Sequence, residues 1–149
     1  NTNYAFIRNS EYLNWRYFSN PKNKYRVIVV EESEKGILGY IVFGIRTYSS
    51  QKNLHAANIM QFCFLEGEKS AAQSLLSYLV SELEYKMGVD LIRCYISKSN
   101  PCFEIFYKLG FLKYRRVPLL VLTKDKLNMV FDIRTVSSQL SLGDTDHAP

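Results

Sequence analysis

The order of helix-like and strand-like segments predicts that this 149-residue chain is an α+β protein, with a mixed, mostly antiparallel central sheet flanked by helices. Three observations support this prediction. β-Branched and aromatic runs follow one another through short loops in the first half of the chain. The apolar period then changes to three and four residues, as in a helix, and strand-like runs resume after it. Consecutive strands joined by short loops pair antiparallel, whereas a helical crossover usually joins parallel strands.

The first predicted element is a short helix at residues 9–18, NSEYLNWRYF. Asn9 or Ser10 is suited to cap its first turn, because both side chains can accept a backbone hydrogen bond. Pro21 in the following loop discourages the helix from continuing.

Three strands are predicted next. The runs YRVIVVE at 25–31 and ILGYIVFGIR at 37–46 flank ESEKG, a hairpin loop with Gly36 at its end. The run AANIMQFCFL at 56–65 is apolar on both faces, which is typical of a central strand.

A long amphipathic helix of four to five turns follows from Ser70 to Gly88. Its apolar face consists of Ala72, Leu75, Leu76, Leu79, Leu83 and Met87. Ser70 and Gln73 have the spacing of a capping box, in which each side chain bonds the backbone N–H of the other. The helix start also presents backbone N–H groups and the positive end of the helix dipole, which together favour an anion.

A strand at 90–97 and a short helix within NPCFEIFYKLGF at 100–111 come next, followed by strands at 111–123 and 128–134. Asn100 can cap the short helix, Pro101 suits its first position, and Gly110 ends it. Its apolar face is predicted to consist of Phe103, Phe106 and Tyr107.

Composition excludes several classes of protein. With 47% hydrophobic and 14% aromatic residues, the chain is expected to fold as one domain and to reside in the cytoplasm. It has no apolar run near the length of about 20 residues that a membrane span needs, so no membrane partner is expected. Cys63, Cys94 and Cys102 are widely spaced in apolar segments, which favours buried free thiols over disulfides or a metal site.

The net charge of +5 is spread over the chain, with its densest cluster, KYRR, at 113–116. A solvated basic surface is the first interpretation, binding of a phosphorylated ligand the second, and nucleic-acid binding the third. No nucleic-acid partner is therefore expected.

The element order, SLL at 74–76 in the long helix and KLGF at 108–111 resemble the GCN5-related N-acetyltransferase (GNAT) superfamily. The segments YLNWRY and LGDTDHAP also resemble parts of bacterial members. The resemblance covers about residues 10–146 and implies a GNAT-like domain over 1–149. The first strand and helix of that fold have no counterpart here, so the chain either lacks them or is cut from a longer one.

The resemblance implies an acetyl-CoA site at the start of the long helix. The family motif, Arg/Gln-x-x-Gly-x-Gly/Ala, falls on Gly67, Ser70 and Ala72, and only Ala72 matches it. Glu66 and Glu68 repel a pyrophosphate, while Lys69 offsets part of that repulsion. The implied cofactor-binding residues are Phe64, Leu65, Gly67, Lys69, Ser70, Ala71, Ala72, Asn100, Phe103 and Phe106.

Acetyl transfer to an amine uses a general base and a proton donor for the leaving thiolate. In many members of the superfamily a tyrosine four residues before the glycine of the Gly-Phe ending is the acid, and that position here is Phe106. Tyr107 is the candidate acid if the end of the short helix is shifted by one residue, and otherwise a half-buried aromatic. Glu66 is the candidate base, or else a residue that only favours the helix dipole.

Candidate acceptor-binding residues lie near both ends of the chain. Trp15, Arg16 and Tyr17 can stack on and hydrogen-bond an acceptor, or form a local core. Asp144 and Asp146 can hold a cationic amine, or belong to a frayed terminus.

Two functions follow from the resemblance. The first is transfer of an acetyl group from acetyl-CoA to a small primary amine by direct attack. The second is a non-catalytic domain of the same fold that serves packing or partner binding, and a homodimer is compatible with either.

Overall fold

The computed structural model describes residues 9–19, 21, 24–49, 53–98 and 100–113. Within these residues the chain is an α+β fold in which helices flank a mixed four-stranded sheet, as predicted. No helix in these ranges is both long and apolar enough to cross a bilayer. Apart from residues 111–113, which form no strand, the strands predicted after Gly110 lie outside the described residues.

The sheet consists of β1 (Tyr25–Glu32), β2 (Gly36–Tyr48), β3 (Leu54–Phe64) and β4 (Leu91–Cys94), in that spatial order. β1, β2 and β3 form an antiparallel meander, because short loops join them. β4 pairs parallel with β3, as predicted for a strand that follows a helical crossover.

Helix α1 (Ser10–Leu13) continues without interruption into a π-helical turn at Asn14–Phe18. Asn9 caps it, since its Oδ1 accepts the backbone N–H of Tyr12 at 2.9 Å. Of the two predicted caps, the structure therefore uses Asn9.

Helix α2 (Lys69–Ser81) also passes into a π-helical turn, Glu82–Lys86, and Gly88 follows with a φ of +59°. The predicted end is confirmed, but the predicted capping box at Ser70 is wrong. The N-cap is Glu68, and no side chain bonds the helix start. The reason is the turn before the helix, in which the Glu68 N–H donates to the Leu65 carbonyl and Gly67 has a φ of +87°, so that Ser70 already lies inside the first turn.

Helix α3 (Phe103–Lys108) ends in a Schellman motif at Gly110, whose φ is +86°. The Phe111 N–H donates to the Phe106 carbonyl, and the Gly110 N–H donates to that of Tyr107, both at 3.0 Å. Before the helix, Asn100 Oδ1 accepts the Cys102 N–H at 2.8 Å, which closes a turn. The predicted cap at Asn100 and the predicted first helical position at Pro101 are wrong, because this turn holds residues 100–102 and the helix begins only at Phe103, with Cys102 as its N-cap and no side-chain cap.

The buried face of α3 differs from the predicted one. Ile105 and Phe106 are buried, whereas Tyr107 is 47% exposed. Tyr107 instead packs edge-on against Phe103, with ring centroids 5.2 Å apart. The aromatic spacing predicts Tyr107 on the apolar face of the helix, but the helix is rotated so that Ile105 takes that place.

The two faces of the sheet are covered by different helices. On the face that we call the α2 face, α2 and α3 pack on the sheet. The members of this main core are Ile41, Phe43, Ala57, Ile59, Ala72, Leu75, Leu76, Leu79, Leu83, Cys102, Ile105 and Phe106. On the other face, the α1 face, Tyr17 packs with Val42 and Met60.

A β-bulge at Met60 decides which side chains of β3 reach each face. Phe43 of β2 pairs with Ile59 and Val42 pairs with Gln61, so Met60 is the extra residue. After the bulge, Phe62 and Phe64 lie on the α2 face, while Met60 and Gln61 lie on the α1 face.

Phe106→Ala is expected to lower the free energy of unfolding by about 3–5 kcal/mol, because the ring is 3% exposed and packs edge-on against Phe62 and Phe111. Urea denaturation measures this. Tyr107→Ala is the control and is expected to cost about 1 kcal/mol or less, since that ring is exposed. Equal losses in the two variants would contradict the observed orientation of α3.

Candidate functional site

The parallel strands β3 and β4 separate at one point of the sheet. Their pairing ends at Ile59 and Cys94, but β3 continues to Phe64 without a β4 partner in the described part of the chain. Helix α2 follows β3 and helix α3 follows β4, so both helices begin at the edge of the sheet that is formed by the carboxyl ends of these parallel strands. Such an edge is where open α/β sheets bind ligands.

The starts of α2 and α3 are close to each other in space. Burial raises the pKa of the Cys102 thiol just before α3, and the positive charge of Lys69 in the first turn of α2 partly opposes that shift. Ala72 of α2 and Cys102 belong to the same core cluster.

The first turn of α2 leaves backbone donors available. The first intrahelical bond is from the Ala72 N–H to the Glu68 carbonyl at 3.0 Å. The N–H groups of Ser70 and Ala71 have no backbone acceptor among the described residues, and no side chain caps them. The space beside Gly67 is open, with no heavy atom within 4 Å of where its Cβ would lie.

The charges around this helix start are partly balanced. Lys35, in the turn between β1 and β2, lies 3.3 Å from the Glu68 carboxylate and 3.0 Å from that of Glu32. Hydrogen bonds to Glu32 and then to Glu68 raise the pKa of Lys35, so it stays protonated. Lys35 therefore offsets the repulsion that Glu68 would exert on an anion at the helix start.

The other predicted cofactor-binding residues lie around this edge in different environments. The Phe64 ring lies over Gly39, where an added Cβ would be 2.1 Å from the ring. Leu65 is 55% exposed, and Phe103 is half-buried. Phe106 is enclosed in the core.

The two candidate catalytic residues, Tyr107 and Glu66, have no described contact with each other. Tyr107 lies on the exposed side of α3, and Glu66 is exposed in the loop before α2. No described hydrogen bond or ring contact links them, and the ring partner of Tyr107 is Phe103.

The candidate acceptor-binding residues near the start of the chain do not share one environment, because they lie on different sides of their helical turn. Tyr17 is buried against the α1 face of the sheet and stacks edge-on with Tyr25. Trp15 is 65% exposed and Arg16 is half-buried. Asp144 and Asp146 lie outside the described residues.

Sequence reasoning missed a polar group on β3. Asn58 and Gln61 are 2% and 0% exposed, although the sequence pattern predicts a strand that is apolar on both faces. Arg93 of β4 donates from Nε to Asn58 Oδ1 at 2.9 Å. The signal was present, because two amides interrupt an otherwise apolar central strand, where each needs a hydrogen-bond partner.

The cysteines are free thiols, and Cys94 adjoins the strand separation. Burial raises the pKa of Cys94 to about 12. The thiol is therefore neutral near pH 7 and is not an activated nucleophile.

Comparison with known proteins identifies the fold. No protein-family model matches the chain, and no curated protein is significantly similar to it. Solved structures do match: a probable acetyltransferase is 13% identical with a TM-score of 0.58, over 77% of each chain. Glucosamine-6-phosphate N-acetyltransferase from Arabidopsis thaliana is 16% identical with a TM-score of 0.53, over 68% of this chain and 67% of that one.

A transcriptional regulator from Bacillus halodurans C-125 also matches, with 17% identity and a TM-score of 0.57. The match covers 66% of each chain, so this chain spans just under two thirds of that protein. Taken together, these matches show that the chain has the fold of the GNAT acetyltransferases.

Cys94→Ala is expected to make stability less sensitive to alkaline pH. Burial raises the pKa of the folded thiol to about 12, while the unfolded thiol has the ordinary pKa of 9.0. The unfolded state then binds fewer protons, so stability falls as pH rises above 9. Urea denaturation at pH 9 and at pH 10.5 measures how far the free energy of unfolding falls between them. This fall should be about 1–2 kcal/mol smaller in Cys94→Ala than in the unmodified chain.

Cys63→Ala is the control for removing a thiol as such. If it reduced the alkaline loss of stability as much as Cys94→Ala, the assignment of that loss to Cys94 would be rejected.

Proposed function

We propose that this chain is an acyl-CoA-dependent N-acyltransferase that transfers the acetyl group of acetyl-CoA to a primary amine of a small molecule. The observation that carries the proposal is the start of α2, near the separation of β3 and β4, where the N–H groups of Ser70 and Ala71 have no acceptor among the described residues. The fold shared with proteins described as acetyltransferases supports it.

The residues of the helix start fit the pyrophosphate of acetyl-CoA in charge and space. Backbone N–H groups and the helix dipole favour a phosphate, and Lys69 adds a positive charge. Gly67 leaves open space beside the turn. Gly67 stands where the family motif has arginine or glutamine, so in this chain the pairing of Lys35 with Glu68 has the additional role of lowering the negative charge at the site.

Acetyl-CoA, as a substrate, supplies a thioester that a neutral amine can attack. In the proposed reaction the amine nitrogen forms a bond to the carbonyl carbon and the carbon–sulfur bond breaks. Glu66 takes the proton of the amine, directly or through water, and Tyr107 protonates the thiolate. Both groups are solvent-accessible, so an acceptor can approach them.

One observation favours the alternative of a non-catalytic domain. Phe106 occupies the position of the family's catalytic tyrosine, and its ring is buried against Phe62 with no hydroxyl to donate. A chain that lacks this acid can retain the fold and the helix start for binding alone.

Lys35→Ala is expected to weaken acetyl-CoA binding roughly threefold to fivefold, because it leaves the Glu68 carboxylate without its partner. Isothermal titration calorimetry measures the affinity. The double variant Lys35→Ala/Glu68→Gln should regain the affinity of the unmodified chain.

Lys86→Ala is the matched control, since Lys86 pairs with Glu82 at 2.5 Å at the far end of the same helix. It should leave the affinity unchanged. If the unmodified chain gave no response at millimolar acetyl-CoA, the proposed acetyl-CoA site would be rejected.

Tyr107→Phe and Glu66→Gln are each expected to lower kcat for acetyl transfer about 10²-fold or more and to leave acetyl-CoA affinity unchanged, as removal of an acid or base does. Release of the CoA thiol with a panel of primary amines measures the rate. Tyr78→Phe, an exposed tyrosine on α2, is the control. Full rates in both variants would exclude the assigned roles, and absence of turnover despite acetyl-CoA binding would favour the non-catalytic domain.

A further inference from the structure

We propose that the α1 face of the sheet carries a binding subsite for an anionic group, a carboxylate or a phosphate, built on Arg93 and Asn58. The subsite deepens the proposed function, on which it depends for its biological role, because it defines the acceptor as an amine that bears such a group. It lies on the opposite face of the sheet from the core that α2 covers.

The subsite belongs to one row of residues that crosses all four strands. Tyr25 pairs with Gly44, Gly44 with Asn58, and Asn58 with Arg93. Paired residues share a face of the sheet, and Tyr25 packs with the α1-face cluster. The Tyr25 ring lies over Gly44, where a Cβ would be 2.9 Å from it, so the ring forms one wall of the row beside Asn58.

The Arg93 guanidinium is held in position by two hydrogen bonds. Its Nε donates to Asn58 Oδ1 at 2.9 Å, and one terminal nitrogen donates to the Tyr48 hydroxyl at 2.6 Å. The guanidinium carbon also lies 5.3 Å from the centroid of the Tyr48 ring. The other terminal nitrogen has no partner among the described residues, so a preorganised donor remains for a ligand.

Asn58 contributes a second donor whose orientation is determined by Arg93. The Arg93 Nε can only donate, so the amide oxygen must face it and the amide nitrogen must point elsewhere. That nitrogen is buried and has no hydrogen-bond partner within the described structure. A buried donor without an acceptor is destabilising, and an oxygen of an anionic ligand would relieve that cost.

The charge around the row is positive. Arg46 lies on the same face as Tyr48, two residues away on β2, and is exposed opposite Ala56. Neither arginine has an ion pair with a described carboxylate. Asp90, three residues before Arg93, accepts the backbone N–H of His55. Two guanidinium groups without a described ion pair, on the face that holds a buried amide donor, favour a carboxylate or phosphate over a neutral group.

The position of the row explains how the anion relates to the acceptor amine. The pairing of Asn58 with Arg93 is the last but one before β3 and β4 separate after Ile59 and Cys94. One residue along a strand is about 3.3 Å, so the strand separation begins within a few ångströms of the subsite. An anion held here would place an amine a few bonds away at the separation, which suits a compact amino acid or a phosphorylated amine.

The experiment is an NMR titration of the ¹⁵N-labelled chain, observing the Arg93 Nε–H and Asn58 side-chain amide signals. Sodium acetate, sodium phosphate and the neutral acetamide are the probes, at constant ionic strength. Saturable shifts of both signals with acetate or phosphate, and none with acetamide, are expected. The preferred anion distinguishes a carboxylate site from a phosphate site.

Two variants test which groups bind. Arg93→Gln should weaken the anion affinity roughly tenfold or more, as expected on loss of a charge-assisted hydrogen-bond donor. Arg26→Gln is the matched control, because Arg26 contacts the Met87 sulfur elsewhere on the molecule, and it should leave the affinity unchanged. Equal shifts with acetamide, no shift with either anion, or unchanged affinity in Arg93→Gln would overturn the proposal.

The acceptor role is tested in the thiol-release assay by measuring the KM of free amino acids and of the corresponding amino acid amides as acceptors. The acid should have a KM at least tenfold lower than the amide, and Arg93→Gln should abolish that difference. Equal KM values would overturn the acceptor role. Acetyl-CoA binding and anion binding are measured separately, so failure of the proposed function and failure of the subsite give different results.

Discussion

The bulge at Met60 is the constraint on which the rest of this structure depends. One extra residue in β3 changes the face that every later side chain of the strand occupies. It places Phe62 against α3 and Phe64 against β2. It leaves Met60 packed with Tyr17 on the α1 face, where Gln61 pairs with Val42. Without it, the aromatic rings that anchor α3 would point away from the core.

The bulge and the separation of the strands act together on the candidate site. The last residue of β3 that pairs with β4 is Ile59, which directly precedes the bulge. The remaining five residues of β3 therefore do not pair with β4. The two helices that follow the strands begin at this edge, with Lys69 close to Cys102. The fold therefore brings the open start of one helix, the end of β3 beyond its pairing with β4 and the start of a second helix to one place.

The electrostatics of the helix start show how a poor motif match can still be compatible with anion binding. The sequence places two glutamates beside α2 and lacks the family's glycines. In the folded chain, Lys35 from a different part of the sequence pairs with Glu68, and the Ser70 hydroxyl does not cap the helix. The proposed subsite on the α1 face also depends on residues that are distant in the sequence. Asn58 and Arg93 meet only because β3 and β4 pair in one register.

The sequence by itself determined the order and type of the elements as far as α3, a polar cap at Asn9 or Ser10, and the helix ends at Gly88 and Gly110, because periodicity and capping are local properties of the backbone. Only the tertiary structure decided that α2 begins at Lys69, that Tyr107 faces outward and that two amides lie buried in β3. These features depend on the register of the strands and on the rotation of each helix against its neighbours. Both are set by packing between residues that are distant in the chain, and that packing outweighs small local preferences.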